Sequence, residues 1–241
     1  MRSGCDVGMR VAPRKGMDVA ETVLGLLREW MSAALAASQR GWRVLREKGP
    51  TQIQFWLIAL LIGIAAGFAA LLFRKGISWL QEALYGVEDV RLMHSFAESL
   101  PWYMILLIPV AGGLVVGVIL HVFTPDGRAR SVADVIEGAA LADGRVEQKA
   151  GIASAFASLI TLGSGGSSGR EGPVVHLAAV IASKVSDWIR ADGITGRDLL
   201  GCAVAAAVSA SFNAPIAGAL FALEVVLRHF AVHAFAPIVI A

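Results

Sequence analysis

The sequence predicts an all-α integral membrane protein built from broken and tilted helices, and three observations carry that prediction. Its 241 residues are 56% hydrophobic and only 17% charged, with a mean hydropathy of +0.66, too apolar for an ordinary soluble domain. Two uncharged runs, Phe55 to Phe73 and Tyr103 to Phe123, each match the roughly 20 residues that cross a hydrocarbon core. Beyond them the apolar stretches are short and cut by glycine or proline, a pattern tolerated at membrane depth only around a buried or wet cavity. The net charge of +2, with no Lys/Arg stripe interleaved with aromatics, argues against a nucleic-acid partner. Cys5 and Cys202 lie far apart and have neither CxxC nor metal-ligand spacing, so no disulfide framework, metal or cofactor is expected.

Taken in order, residues 1–18 form a basic N-terminus read as disordered, with no apolar core behind its arginines and hence no secretory signal. Within 19–50, apolar residues at Val19, Val23, Leu26, Leu27, Trp30 and Met31 make a helical stripe interrupted by Glu21, Arg28 and Glu29. This predicts an interfacial amphipathic helix rather than a span. Arg40, Arg43, Arg46 and Lys48 follow and set this end in the cytoplasm. The transmembrane domain is expected over 51–241, its first span closed by Arg74-Lys75. The second span returns the chain to the cytoplasm, where the polar segment from Thr124 to Lys149 lies. A multi-pass membrane protein is therefore expected, and the plasma (inner) membrane is its expected location.

Three shorter apolar pieces come next: Ala150 to Leu162, Pro173 to Ser183, and Leu199 to Leu223, the last cut by Ser211 to Pro215. The stretch from Thr161 to Leu177, TLGSGGSSGREGPVVHL, reads as a broken helix. Glycine-rich backbone holds a helix poorly while proline suits its first turn, so the break falls at Gly163 to Gly169 and a new helix starts around Glu171 to Pro173. Such a start exposes unpaired N–H groups at the positive end of the helix dipole, where a small anion or a carboxylate in its place is stabilised. Glu171 is the leading candidate. It is either a functional intramembrane carboxylate or a charge at the membrane boundary. The glycines match neither a phosphate loop nor a dinucleotide turn. A serine nucleophile, Ser167 or Ser168, with His176 as base would make an intramembrane hydrolase, although no third member or oxyanion hole is indicated and His176 also suits a packed or pore-facing role. Asn213-Ala214-Pro215 reads as helix-start chemistry with Asn213 as cap. Glu224 reads as an end charge, a partner for Arg228 or a proton-path residue. Ser131, with Asp134 three residues on, reads as a helix cap with a capping box.

GSGGSSGREGPVVH together with ASFNAPIAGALFALE resembles the chloride channel (CLC) family of anion channels and anion/proton exchangers. Gly169, Arg170, Glu171, Gly172 and Pro173 match the family's Gly-Lys/Arg-Glu-Gly-Pro signature, and Asn213 to Phe221 match its Asn-Ala-Pro helix. The resemblance implies no enzyme but transmembrane chloride transport, of voltage-gated channel type, with Glu171 as gate and Ser131, Gly169, Arg170 and Gly172 at the anion path. A chloride/proton antiporter is the alternative, and the serine hydrolase a distant one. Ser131 matches the family's anion-touching serine, but the flanking glycines and proline of that block are replaced. Val225 stands where many exchangers carry an acid, which leans towards passive conduction. The family fold implies two inverted repeats in a homodimer; the chain stops inside what would be the last helix of the first repeat, so it is expected to be a fragment of a longer protein, the alternative being a second chain that supplies the rest. Chloride, a lipid bilayer and possibly protons are the implied partners.

Overall fold

Helix α1, Gln52–Tyr85, shows how these residues organise themselves. Thr51 and Gln54 begin it with a capping box, and Gly86 ends it in the left-handed conformation that glycine adopts without strain. One face buries a small-residue stripe with Ala59, Gly63, Ala66 and Ala70, while Leu57, Leu61, Ile64, Phe68 and Leu72 stay exposed on the others. The computed structural model describes residues 51–86, 101–228 and 232–241. The expected basic N-terminus and interfacial helix lie outside the described residues, as does the connection 87–100.

Eight α-helices and one π-helical segment make up the described residues. After α1 come α2 (Trp102–Phe123), α3 (Val132–Leu141), α4 (Gln148–Gly163), α5 (Glu171–Ile189), α6 (Gly193–Phe212) and α7 (Pro215–Phe221). A π-helical turn, Ala222–Leu227, and α8 (Val232–Ile240) follow. The all-α fold class is borne out, with no strand among the described residues. α1 and α2 are long and apolar enough to cross a membrane.

The first span runs past its expected end. Arg74 and Lys75 are exposed on a helix that continues to Tyr85, and the reason lies in what that extension binds. Gln81 Nε2 donates to the Leu162 carbonyl at 3.2 Å and Tyr85 Oη to the Ser164 carbonyl at 2.8 Å. Both carbonyls belong to the end of α4, where the chain leaves the helix and its last C=O groups lose intrahelical partners. Leu80 packs on Gly163, where any Cβ would collide with it.

α6 sits at the centre, against α1, α5, α7 and α8. Every residue from Leu199 to Val208 is buried, and the sequence there is mostly alanine, glycine and valine, small enough for several helices to approach at once. α7 closes on it through Gly218, whose missing Cβ leaves room for Ser209 and the Ala205 carbonyl. Asn213 departs from its expected role. It is the left-handed C-cap of α6 (φ 53°), its N–H reaching the Ser209 carbonyl, and Ala214 takes the N-cap of α7 with Pro215 in the first turn. Asparagine tolerates that conformation better than other side chains, so the same residue type serves at a helix end.

Candidate anion site

The starts of α3 and α5 meet. A Cβ built on Gly172 would lie 3.9 Å from Ser131 Cα and 4.0 Å from the Val132 nitrogen, so the first turn of α5 abuts the first residues of α3 with only a glycine between them. Two helix N-termini brought together add their positive dipole ends.

They differ in how their polar groups are met. At α3, the Ser131 N–H donates to Asp134 Oδ2 at 2.7 Å and the Ser131 hydroxyl to the same oxygen at 3.1 Å, realising the capping box read from the sequence. Asp134 also accepts from Arg128 at 2.7 Å, and Arg130 lies 3.5 Å from it. Arg130 is buried, holds Asp126 at 2.8 Å and Glu147 at 2.6 Å, and its backbone N–H donates to Ser154 Oγ. Burial pushes the Asp134 carboxyl up, but the hydrogen bonds from Ser131 and the charges of Arg128 and Arg130 outweigh it and leave the pKa below the usual carboxylate value. The hydrogen bond and charge of Arg130, with those of Arg128, lower that of Asp126.

At α5 no side chain caps the helix. Arg170 occupies the cap position in a helical conformation and is exposed, its Nε 3.7 Å from Glu171 Oε1, a loose ion pair. Glu171 is the first helical residue, its side chain 41% exposed. Its carboxylate turns back over Gly169, where a Cβ would lie 3.3 Å from Oε2. Of the five residues singled out from the sequence, Gly172 and Ser131 are brought together across the two helix starts, whereas the Glu171 carboxylate lies with the exposed Gly169 and Arg170 beside them. The Ser131 hydroxyl is committed to Asp134.

The hydrolase arrangement does not form. Ser167 and Ser168 are exposed in the loop before α5, while His176 is buried inside that helix, its ring beside the backbones of Ser131 and Glu147 and bonded to neither Ser167 nor Ser168. The imidazole faces Gly151 of α4, whose absent side chain makes room for it. Glu224 is exposed on the π-helical turn and makes no ion pair with Arg228 among the described residues. Gln81 and Tyr85, which hold the break open at its α4 end, escape a reading based on local pattern because their partners are 81 and 79 residues away.

A family model described as "Voltage gated chloride channel" matches residues 112–241, more than half of the chain and all of the site. The chain belongs to the voltage-gated chloride channel family. That makes it a membrane protein. Over 188 residues it is 34% identical to a protein of Ralstonia nicotianae described as a putative chloride channel protein ClcB-like, covering 76% of this chain and 43% of that protein. A voltage-gated ClC-type chloride channel ClcB of Escherichia coli O81 is 32% identical over 192 residues, 77% of this chain and 44% of the other. One of the same description from Yersinia pestis is 28% identical over 194 residues, 77% and 45%. The chain thus spans less than half the length of the curated relatives it matches. Their shared family bears out the resemblance carried by the Gly-Arg-Glu-Gly-Pro and Asn-Ala-Pro blocks.

Proposed function

We propose that the whole protein carrying these residues moves chloride or a similar anion across a membrane, as a voltage-gated-type channel in which Glu171 is the gate. The single observation that carries this reading is the uncapped start of α5: its free N–H groups face no capping side chain, and a carboxylate is the first residue of the helix. A carboxylate there competes with an anion for the same positive end of the helix, so protonating or displacing it clears the position. Gly172 sits where the starts of α3 and α5 come together, its backbone open to that position, and Ser131 joins it when its hydroxyl leaves Asp134. Gly169 and Arg170 flank the entrance, Arg170 as an exposed cation that draws anions in.

In this reading residues 51–241 act as the first of two inverted repeats, in a homodimer of the plasma (inner) membrane with a cytoplasmic N-terminus. The share of the relatives' length that is matched, 43% and 44%, supports the part of it that makes these residues one half of a longer pathway. Transport rather than enzymatic chemistry is also favoured by the separation of Ser167 and Ser168 from His176. The second reading, a chloride/proton antiporter, keeps the same site and couples it to protons; the apolar Val225 weighs against it. The two are separated by reconstituting the whole protein in chloride-loaded liposomes and imposing a proton gradient. Dissipation of the chloride gradient with no uphill movement is expected, and uphill chloride movement driven by protons would establish the antiporter instead.

A further inference from the structure

His176 is the residue of the site region that the proposed gate leaves unused. Its side chain is 1% exposed, and neither ring nitrogen closes a hydrogen bond of ordinary geometry, the backbones of Ser131 and Glu147 lying beside the ring without completing one. Buried polar groups are ordinarily satisfied by protein or ordered water, so a ring in this state marks a place that water or a ligand fills. His176 lines a cavity of about 310 Å³, room for several waters at about 30 Å³ each. It stands four residues beyond Gly172 and therefore on the same face of α5, the face that meets Ser131. On its other edge the ring rests against Gly151, where a Cβ would come within 2.7 Å of Cδ2 and Nε2.

The fixed charges around that cavity are largely matched among themselves. In the segment before α3, Arg130 holds Asp126 and Glu147, and Arg128 holds Asp134. Arg145, ahead of α4, holds Asp187 of α5, and Glu137 of α3 completes the wall with no ion pair among the described residues. α4 meets the ring with Gly151, and its one charged side chain, Lys149, is exposed. The group that titrates closest to neutrality and that no ion pair holds is the imidazole, faced by the charges of Asp134 and Arg130.

We propose that His176 is a proton-binding site reached through this cavity, and that its positive charge, one helical turn from Gly172, raises anion occupancy at the paired starts of α3 and α5. The inference rests on the anion-transport reading and adds to it a second titratable control, on the cavity side and separate from Glu171. A unit charge at that separation in a partly desolvated site changes anion affinity by about tenfold or more.

The test is chloride binding to the whole protein by titration calorimetry in a Glu171→Gln background, which removes the other titratable group. It is measured at about pH 8 and about pH 4.5, far enough apart to bracket an imidazole whose charged form burial disfavours. Binding should tighten about tenfold at the lower pH, and the change should vanish when His176→Gln is added. A flat response with His176 present, or one that survives His176→Gln, overturns the proposal while leaving chloride binding itself intact; no chloride binding at either pH overturns the transport reading and the proposal with it. Should the double variant fail to fold, ¹⁵N NMR of the native His176 ring decides the matter. Chloride must raise its pKa by the reciprocal factor, and an unmoved pKa overturns the proposal.

Discussion

The starts of α3 and α5 touch, yet they solve the same physical problem in opposite ways. Both must provide for the N–H groups that a helix leaves unpaired in its first turn. α3 answers with its own residues: Ser131 and Asp134 close on each other, and Arg128 and Arg130 neutralise the acid. α5 answers with nothing fixed, and sets the exposed, loosely paired carboxylate of Glu171 beside the opening. The closed start is part of the scaffold. In the proposed function the open start is where an exchangeable anion sits, and the contrast between the two turns a shared motif into a candidate site.

The comparison breaks most visibly at Arg130. Replacing it with alanine removes the buried guanidinium that ties half-exposed Asp126 and Glu147 together, so the thermal midpoint of the detergent-solubilised protein should fall by roughly 3–5 °C. If the midpoint is unmoved, the cluster is not holding α3. A pH titration of stability sharpens the same point. The Asp134 pKa lies below its ordinary value of 3.8 in the fold, so its contribution is present above that value and is lost as pH falls through the lower, folded one. Acid should therefore destabilise wild type, and Asp134→Asn should be less stable at neutral pH and show a weaker acid response. Ser131→Ala removes the cap and should cost about 1 kcal/mol in chemical unfolding. Gly169→Ala, on the open side, should change stability by less than about 0.5 kcal/mol, since its Cβ would meet only the Glu171 carboxylate. A large stability loss there would mean that the open start is as tightly built as the closed one.

Much of this arrangement is legible in the sequence because it depends on short-range rules. The Ser131-to-Asp134 spacing announces a capping box, glycines and Pro173 announce the break and the new helix, and both apolar spans are recognisable by length. Boundaries are less so. Arg74-Lys75 mark where polar surroundings begin, whereas the hydrogen-bond ladder of α1 runs on until Gly86 turns left-handed. α5 likewise outlasts its apolar run because Lys184 and Asp187 point outward and leave its buried face uninterrupted. Asn213 was assignable to a helix boundary but not to the correct helix, since its side chain suits either end. What only the fold supplies is distance: the bonds from Gln81 and Tyr85 to the α4 end, the abutment of Gly172 on Ser131, and the burial of His176 beside a charged cavity away from the serines.

The central claim is that Glu171 occupies the anion's own position at the open start of α5. It is tested most directly by chloride efflux from liposomes holding the whole protein, wild type against Glu171→Gln, across a range of pH. The account predicts that the variant conducts with altered opening and loses the acid dependence that wild type shows. Identical efflux and identical pH dependence in the two proteins would contradict it.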